Sequence, residues 1–344
     1  MLRFLPLALL FFAFTLGATT PSSLFDELGL EESRGTSATL DIEGMIPADG
    51  ERPGVFTFRL GEETHSLSVE VSPRGKFRRH HCTLKPLKLN FKKGELRAAG
   101  LAEYDKYKLV VPCHPGKEGE RILMREYLAY QAYGLLTPYS FRTQLLELSF
   151  REGDEERHFP AFLIESKRQF ADRMGLEEVT EIYGNMQKDF DPAAEVTHAL
   201  FQYLISNGDW NLTLGRNAKL FRKASGQLVP VGYDFDFSGW VSAPYARPSR
   251  DAGQRKLTDH VYLGYAQPDL VLSEVVENFL LQSDALKELV RGDAYLRFFL
   301  RRTMVGLGKI SEQGMGTDGY YRSLRGADHD VIPFGAEASA FAIM

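Results

Sequence analysis

The chain has no apolar run long enough to cross a bilayer. Its longest, Phe4 to Leu16, is shorter than the roughly 20 residues that a spanning helix needs. Basic charge is not in excess either. The formal net charge is -5, so no general attraction to nucleic acid or to an anionic membrane is expected. Cysteine is scarce, with Cys82 and Cys113 alone, too few for a structural zinc site, which takes four ligands. No G-x-S-x-G elbow, no Rossmann glycine pattern and no H-E-x-x-H occurs, which removes the sequence support for serine hydrolases, dinucleotide enzymes and zinc proteases. Internal repeats are absent, and so is a glycine-rich phosphate loop.

The start of the chain has the layout of an export signal. Arg3 precedes the apolar run, and Gly17, Ala18 and Thr19 follow it. Residues 1–18 are therefore expected to be a signal peptide, the alternative being an uncleaved membrane anchor, and the mature protein to be exported, periplasmic or extracellular, without a stable membrane span. No cysteine follows the run, so a lipid anchor is not indicated. In an oxidising compartment an even cysteine count predicts a disulfide between Cys82 and Cys113, the alternative being two buried thiols.

Residues 19–36 are polar and are expected to form a loose lead-in. Beyond them, "SATLDIEGM", "GVFTFRL", "HSLSVEV" and "LKPLKLNFKK" alternate apolar and polar residues, the pattern of antiparallel strands. "GERILMREYLAYQAYGLL" changes to helical spacing and carries Glu126. Strands return at "SFRTQLLELSF" and "RHFPAFLIES". The spacing then predicts a helix at "DPAAEVTHALFQYLIS", with Asp191 as its cap and Pro192 in its first turn. The expectation is an α+β chain. A β-rich N-terminal lobe with one helix would cover 37–165 and a mostly helical lobe 166–322, followed by a possibly loose tail at 323–344.

The densest chemistry lies in "SNGDWNLTLGRNAKLFRKASGQLVPVGYDFDFSG", residues 206–239. Asp209, Asn217, Asp234 and Asp236 are costly to hold near a core without partners. A metal ion and phosphate groups would offset such a cluster. The order of elements also fits phosphoryl transfer. A basic turn and lysine-bearing strands come first, then a helix carboxylate, then an Asp after a helix, then an Asn and an Asp separated by a hairpin. Taken singly, each feature has a plainer reading: Asp209 as a turn acid, Asp234 and Asp236 as lining for any cation, Lys88 as a solvated strand face. His80 and His81 lack partners at ligand spacing. The sequon at Asn211 falls inside the loop and is a poor acceptor for a glycan.

Several segments resemble the CotH family, the spore-coat-protein-H-like kinases. These are "EVSPRGKFRRHHCTLKPLKLNF", "ILMREYLAYQAYGLL", "AFLIES", "NGDWNLTLGRNAKLF" and "VGYDFDFSG", spread over roughly residues 65–300. The resemblance implies a two-lobed atypical protein-kinase-like fold with an antiparallel N-terminal sheet. It implies an exported phosphotransferase that uses ATP or another nucleoside triphosphate with Mg or Mn, acting on a protein or cell-envelope component. Asp209 takes the catalytic position. Asn217, Asp234 and Asp236 take the metal positions. Nucleotide contacts fall to Lys108 or Lys88, with Lys108 preferred because its strand directly precedes the helix. They also fall to Glu126 as the lysine's partner, and to Arg74, Arg78 and Glu165. Two departures stand out. Seven residues separate Asp209 from Asn217, more than in the kinase loop H-R-D-x-x-x-x-N, and "PRGKFRR" is the sole candidate for a phosphate loop. The competing expectation is a non-catalytic binding or assembly protein of the envelope. Oligomeric state is not legible in the sequence.

Overall fold

A computed structural model describes residues 21–29, 36–47, 49–60 and 62–312 of the protein. The expected signal peptide, 1–18, and the expected loose tail, 323–344, lie outside them. Among the described residues no helix is long and apolar enough to cross a membrane.

The first half is a closed barrel. A short helix, α1 (Leu24–Leu28), precedes strands β1 (Thr36–Ile42), β2 (Arg52–Leu60) and β3 (Glu63–Pro73). One helical turn, α2 (Arg78–His81), leads to β4 (Leu87–Phe91), and α3 (Lys93–Ala98) leads to β5 (Lys106–Val110). The long α4 (Lys117–Leu136) comes before β6 (Thr143–Glu152) and β7 (Glu155–Ile164). The strand order is β1-β2-β3-β4-β5-β7-β6, and β1 closes the ring by lying parallel to β6, with Leu40 opposite Phe150. Alternation fills the interior: Leu40, Phe56, Val69, Leu89, Leu109, Leu148 and Leu163 all point inward. The closure leaves no unpaired strand edge, which would otherwise invite pairing with other chains.

This barrel corrects the expected kinase-like N-terminal sheet and, with it, the two-lobed kinase-like fold. The local pattern identified the strands because a period of two reports which face is buried. It carries no information about what each edge meets. The decisive pairing joins β1 to β6 across more than a hundred residues, and it is parallel.

The lead-in also differs from expectation in its described part. Leu24, Phe25 and Leu28 of α1 are buried in the barrel core, Phe25 is stacked on Tyr107, and Ser23 caps the helix by accepting from the Asp26 amide. Asp26 then pairs with Arg142 at 2.9 Å, and Gln169 donates to Ser23 Oγ at 2.8 Å, so α1 is pinned where barrel and helical half meet. The centre of that junction is Glu165, whose side chain is fully buried. Arg142 reaches its Oε1 at 2.7 Å and Arg173 its Oε2 at 2.9 Å.

The second half opens with α5 (Lys167–Met174) and β8 (Glu177–Val179). Next come α6 (Pro192–Leu204) and the hairpin β9 (Ala218–Arg222) and β10 (Leu228–Gly232), then α7 (Asp269–Leu281), α8 (Ser283–Leu289) and α9 (Ala294–Glu312). β8, β9 and β10 form a small antiparallel sheet. As the cap pattern predicts, Asp191 accepts from the Ala194 amide at the start of α6. α6 is buried on nearly every side, its polar Glu195, His198 and Gln202 included, so it runs through the core. α4 lines the same core, with Tyr130 against Phe162 of the barrel and Tyr133 stacked on Phe201 of α6. α4 therefore joins the two halves.

Cys82 and Cys113 form the expected disulfide, with Cα atoms 4.6 Å apart. It ties the segment after α2 to the segment after β5, and Leu84 N donates to the Cys113 carbonyl at 3.1 Å beside it. Because the bridge spans 31 residues, loop-closure entropy assigns it about 3–4 kcal/mol. The double variant Cys82→Ala/Cys113→Ala should lose about that much in urea unfolding. Two titratable thiols in the native oxidised protein, or an unchanged unfolding midpoint in the variant, would contradict this.

Candidate functional site

The end of α6 delivers the first acid. Ser206 turns the chain with φ of 50°, and Asn207 accepts from the Asp209 amide at 2.9 Å while its own amide donates to Gln202 at 2.8 Å. Gly208 has no room for a side chain: a Cβ would lie 2.6 Å from Gln254 Oε1 and 2.9 Å from Ser249 Cβ. Asn217 returns to this point. Its Nδ2 donates to the Asp209 carbonyl at 2.6 Å and to Asp209 Oδ2 at 2.9 Å. The extra residues between the two are absorbed by a paired bridge, in which the Asn211 and Arg216 amides each donate to the other's carbonyl at 3.0 and 2.9 Å.

The hairpin brings in the third residue. Ala218 of β9 is opposite Gly232 of β10, and Tyr233 N donates to the Asn217 carbonyl at 3.1 Å, so Asn217 lies beside the residue before Asp234. Asn217 and Asp234 both have left-handed backbones, with φ of 50° and 64°. Asn and Asp tolerate that region better than most residues, and such conformations concentrate at functional sites. The Asp234 amide is held by Tyr130 Oη of α4 at 2.9 Å. Among the described residues the Asp234 carboxylate makes no hydrogen bond or ion pair. Asp236 is buried and accepts from Tyr245 Oη at 2.9 Å.

The barrel supplies the cationic wall, with a different partner for Glu126 than the sequence suggested. Neither Lys108 nor Lys88 pairs with it. Arg78 does, with Nη1 3.2 Å from Glu126 Oε2 and Nη2 donating to the Val111 carbonyl at 2.8 Å. The short α2 tucks Arg78 under α4, where a guanidinium can serve a carboxylate and a carbonyl at once. The disulfide fixes this segment to the end of β5, because Cys82 N donates to the Arg78 carbonyl at 2.9 Å and Cys113 lies two residues past Val111. Lys88 and Lys108 are cross-strand partners on the outer barrel face. Lys88 reaches solvent and lies 3.9 Å from Glu51, whereas Lys108 is covered by the hairpin, its Nζ 4.5 Å from the centre of the Tyr233 ring. Lys219 approaches the same ring at 5.1 Å. Glu165 is the other reassignment. Both of its oxygens are taken by Arg142 and Arg173, so its side chain serves the junction and leaves nothing for a nucleotide.

These groups share one electrostatic field. Burial pushes the Glu126 and Asp236 carboxyls up, Asp234 adds to the rise in each, and Arg78 pulls both down. Burial also raises Asp209, against the pull of Arg216 and Asn217. Lys108 is lowered to about 7, first by burial and then by Arg74, with Asp234 opposing. Asp234 therefore acts on Lys108, Glu126, Asp236 and Asp209 together. Tyr233, Tyr245, Tyr130 and Gln254 complete the site. No local pattern marks them, because a hydroxyl or amide takes its role from what it faces and not from local spacing. Two surface cavities, about 420 Å³ beside Phe190 and Gln267 and about 590 Å³ between α8 and α9, are lined by none of these residues.

No protein-family model matches the chain, and no curated protein matches its sequence.

The oxygens present fit a hard divalent cation. Asn217 directs its nitrogen to Asp209, which leaves its oxygen free, and Asp234, next to the Tyr233 amide that Asn217 receives, has an unengaged carboxylate among the described residues. A magnesium site needs only one or two such protein oxygens, with water and substrate phosphate completing it. Among the described residues no three His, Cys, Asp or Glu side chains stand together as a preformed metal group.

Removing Arg78 should leave Glu126 buried alone. Arg78→Ala is expected to cost about 3–5 kcal/mol in urea unfolding, with part of the loss restored by adding Glu126→Gln. Lys88→Ala is expected to change stability by less than about 0.5 kcal/mol. Equal effects of the two single substitutions would overturn the pairing described here.

Proposed function

We propose that the protein is a phosphotransferase that moves a phosphoryl group from a nucleoside triphosphate, in the presence of a divalent cation, to a protein or envelope component. The observation that carries this reading is that Asn217 holds Asp209 and receives the Tyr233 amide next to Asp234, while Lys108 lies against the Tyr233 ring within the field of Asp234. The CotH-like segments "NGDWNLTLGRNAKLF" and "VGYDFDFSG" support the same chemistry.

Each group has a task in that reaction. Lys108 and Arg74 balance phosphate charge, and a bound phosphate favours the protonated form of Lys108. Asn217 and Asp234 would hold Mg or Mn, which supplies charge neutralisation on the phosphate oxygens. Asp236, braced by Tyr245, supports Asp234 from behind. Asp209 accepts the proton of the acceptor hydroxyl, and burial, which raises its proton affinity, suits that role. The acceptor oxygen forms a bond to the terminal phosphorus, the bond from that phosphorus to the bridging oxygen breaks, and the nucleoside diphosphate leaves with the electron pair. The disulfide is compatible with an oxidising compartment, so we place this activity in an exported protein.

One observation favours a second reading, binding without turnover. The candidate base is engaged by Asn217, and Arg216 Nη1 lies 3.9 Å from its Oδ1. Binding and transfer are separable by experiment. Nucleotide with Mg at about 100 times its dissociation constant should stabilise the protein by about 2.7 kcal/mol. Asp234→Asn should abolish this metal-dependent shift, and Asp209→Asn should keep the shift and lose label transfer. A shift that survives Asp234→Asn would remove the metal role and the transferase reading together. A shift without transfer in the native protein would leave the binding reading.

A further inference from the structure

The loop after the acid cluster, residues 242–259, carries Arg247, Arg250, Arg255 and Lys256 against Asp251 and Asp259, in a chain whose net charge is -5. One cation, Arg247, and one acid, Asp259, make internal hydrogen bonds, and Asp251 is exposed. Arg247 donates to the Pro244 and Ala246 carbonyls. Arg250, Arg255 and Lys256 are exposed, and among the described residues their side chains make no ion pair or hydrogen bond. Asp259 is occupied, because its Oδ2 accepts from the Arg255 and Lys256 amides at 2.9 and 2.8 Å. The acid thereby shapes the loop while the two basic side chains stay free.

The loop is built against the segment that bears Asp209. Buried Gln254 donates to the Ser206 carbonyl at 3.1 Å and to the Asp259 carbonyl at 3.0 Å, and it accepts from the Ser249 amide at 3.0 Å. Ser249 and Gln254 are the residues that close on Gly208, next to Asp209. Arg250 follows Ser249 in sequence and Arg255 and Lys256 follow Gln254, so the free cations are one or two residues from a contact with the Asp209 loop. Arg216, half-exposed and 3.9 Å from Asp209, adds positive charge at the acid itself.

We propose that this loop is the docking surface for the acceptor, and that the acceptor is an acidic protein segment carrying a hydroxyl group. Charge complementarity selects it: unpaired guanidinium and ammonium groups on a loop packed against the Asp209 segment attract Asp- and Glu-rich chains and repel Lys- and Arg-rich ones. The assignment of Asp209 as the proton acceptor rests on the transferase reading, but docking itself does not.

The test uses fluorescent peptides with one serine, one threonine and one tyrosine flanked by glutamates, and the same peptides with lysines in place of the glutamates. Binding is read by anisotropy on the full chain without nucleotide, and transfer is read separately with nucleotide and Mg. The glutamate peptide should bind, weaken with added salt, and outcompete the lysine peptide. Arg250→Glu/Arg255→Glu/Lys256→Glu should weaken it by about tenfold or more, since each exposed pair adds a modest increment. The neutral variant Arg250→Gln/Arg255→Gln/Lys256→Gln should fall between. Both variants should keep the native melting temperature and the nucleotide-dependent shift. Equal binding of the two peptides, no binding of either, or an affinity unchanged by charge reversal would overturn the docking surface. Loss of the nucleotide shift in the native chain would instead count against the transferase reading and leave the peptide result standing.

Discussion

The buried pair of Arg78 and Glu126 is the contact on which the site depends. Glu126 sits on α4, the helix shared by the barrel and the helical half, and Arg78 sits on a short turn whose preceding Phe77 packs against Phe237 and Tyr245. Two devices fix that turn: the guanidinium's bond to the Val111 carbonyl, and the disulfide between Cys82 and Cys113. Together they set the end of β5, and hence Lys108, against the hairpin that carries Asn217 and Asp234. α4 makes the same connection one turn further along the same face, where Tyr130 holds the Asp234 amide. A displacement of α4 would move both walls at once.

The arrangement concentrates like charge at a cost in stability. Asp236 and Glu126 hold their protons above the usual carboxylate range, so their penalty grows as pH rises out of that range toward neutrality. Lys108 works in the other direction. Its folded value of about 7 lies below that of the unfolded chain, so its penalty is complete below about pH 7 and is relieved as pH rises toward the ordinary lysine range. A cation against Asp234 and an anion against Lys108 would relieve both penalties. A fold that carries opposed, desolvated charges across one gap is suited to a ligand that carries both signs.

Much of this was legible in the sequence where it rested on local rules. Strand alternation identified the barrel strands, Asp191 and Pro192 marked the start of α6, and the even cysteine count in an export context anticipated the disulfide. The hairpin between Asn217 and Asp234 also followed from spacing. What failed was non-local. The β1–β6 pairing that closes the barrel has no local signature. The choice of Arg78 over a lysine for Glu126 depends on how a four-residue turn packs beneath α4. Lys88 and Lys108 have equivalent strand parity, and only the covering hairpin, absent from the barrel's own sequence, distinguishes them. Glu165 reads as a site residue by position, and its role at the junction follows from Arg142 and Arg173 reaching it from separate elements.

The central claim is that Lys108 meets the phosphates of a bound nucleotide. Proton uptake on binding tests it most directly. Calorimetric titration with nucleotide and Mg at pH 8, in buffers of different ionisation heat, counts protons exchanged. With a value of about 7, Lys108 is mostly neutral there, and an adjacent phosphate should return it to the charged form. The native protein should take up more protons than Lys108→Met, by a difference approaching one per nucleotide. Equal proton counts for the two proteins, or nucleotide binding unaffected by the substitution, would contradict the account.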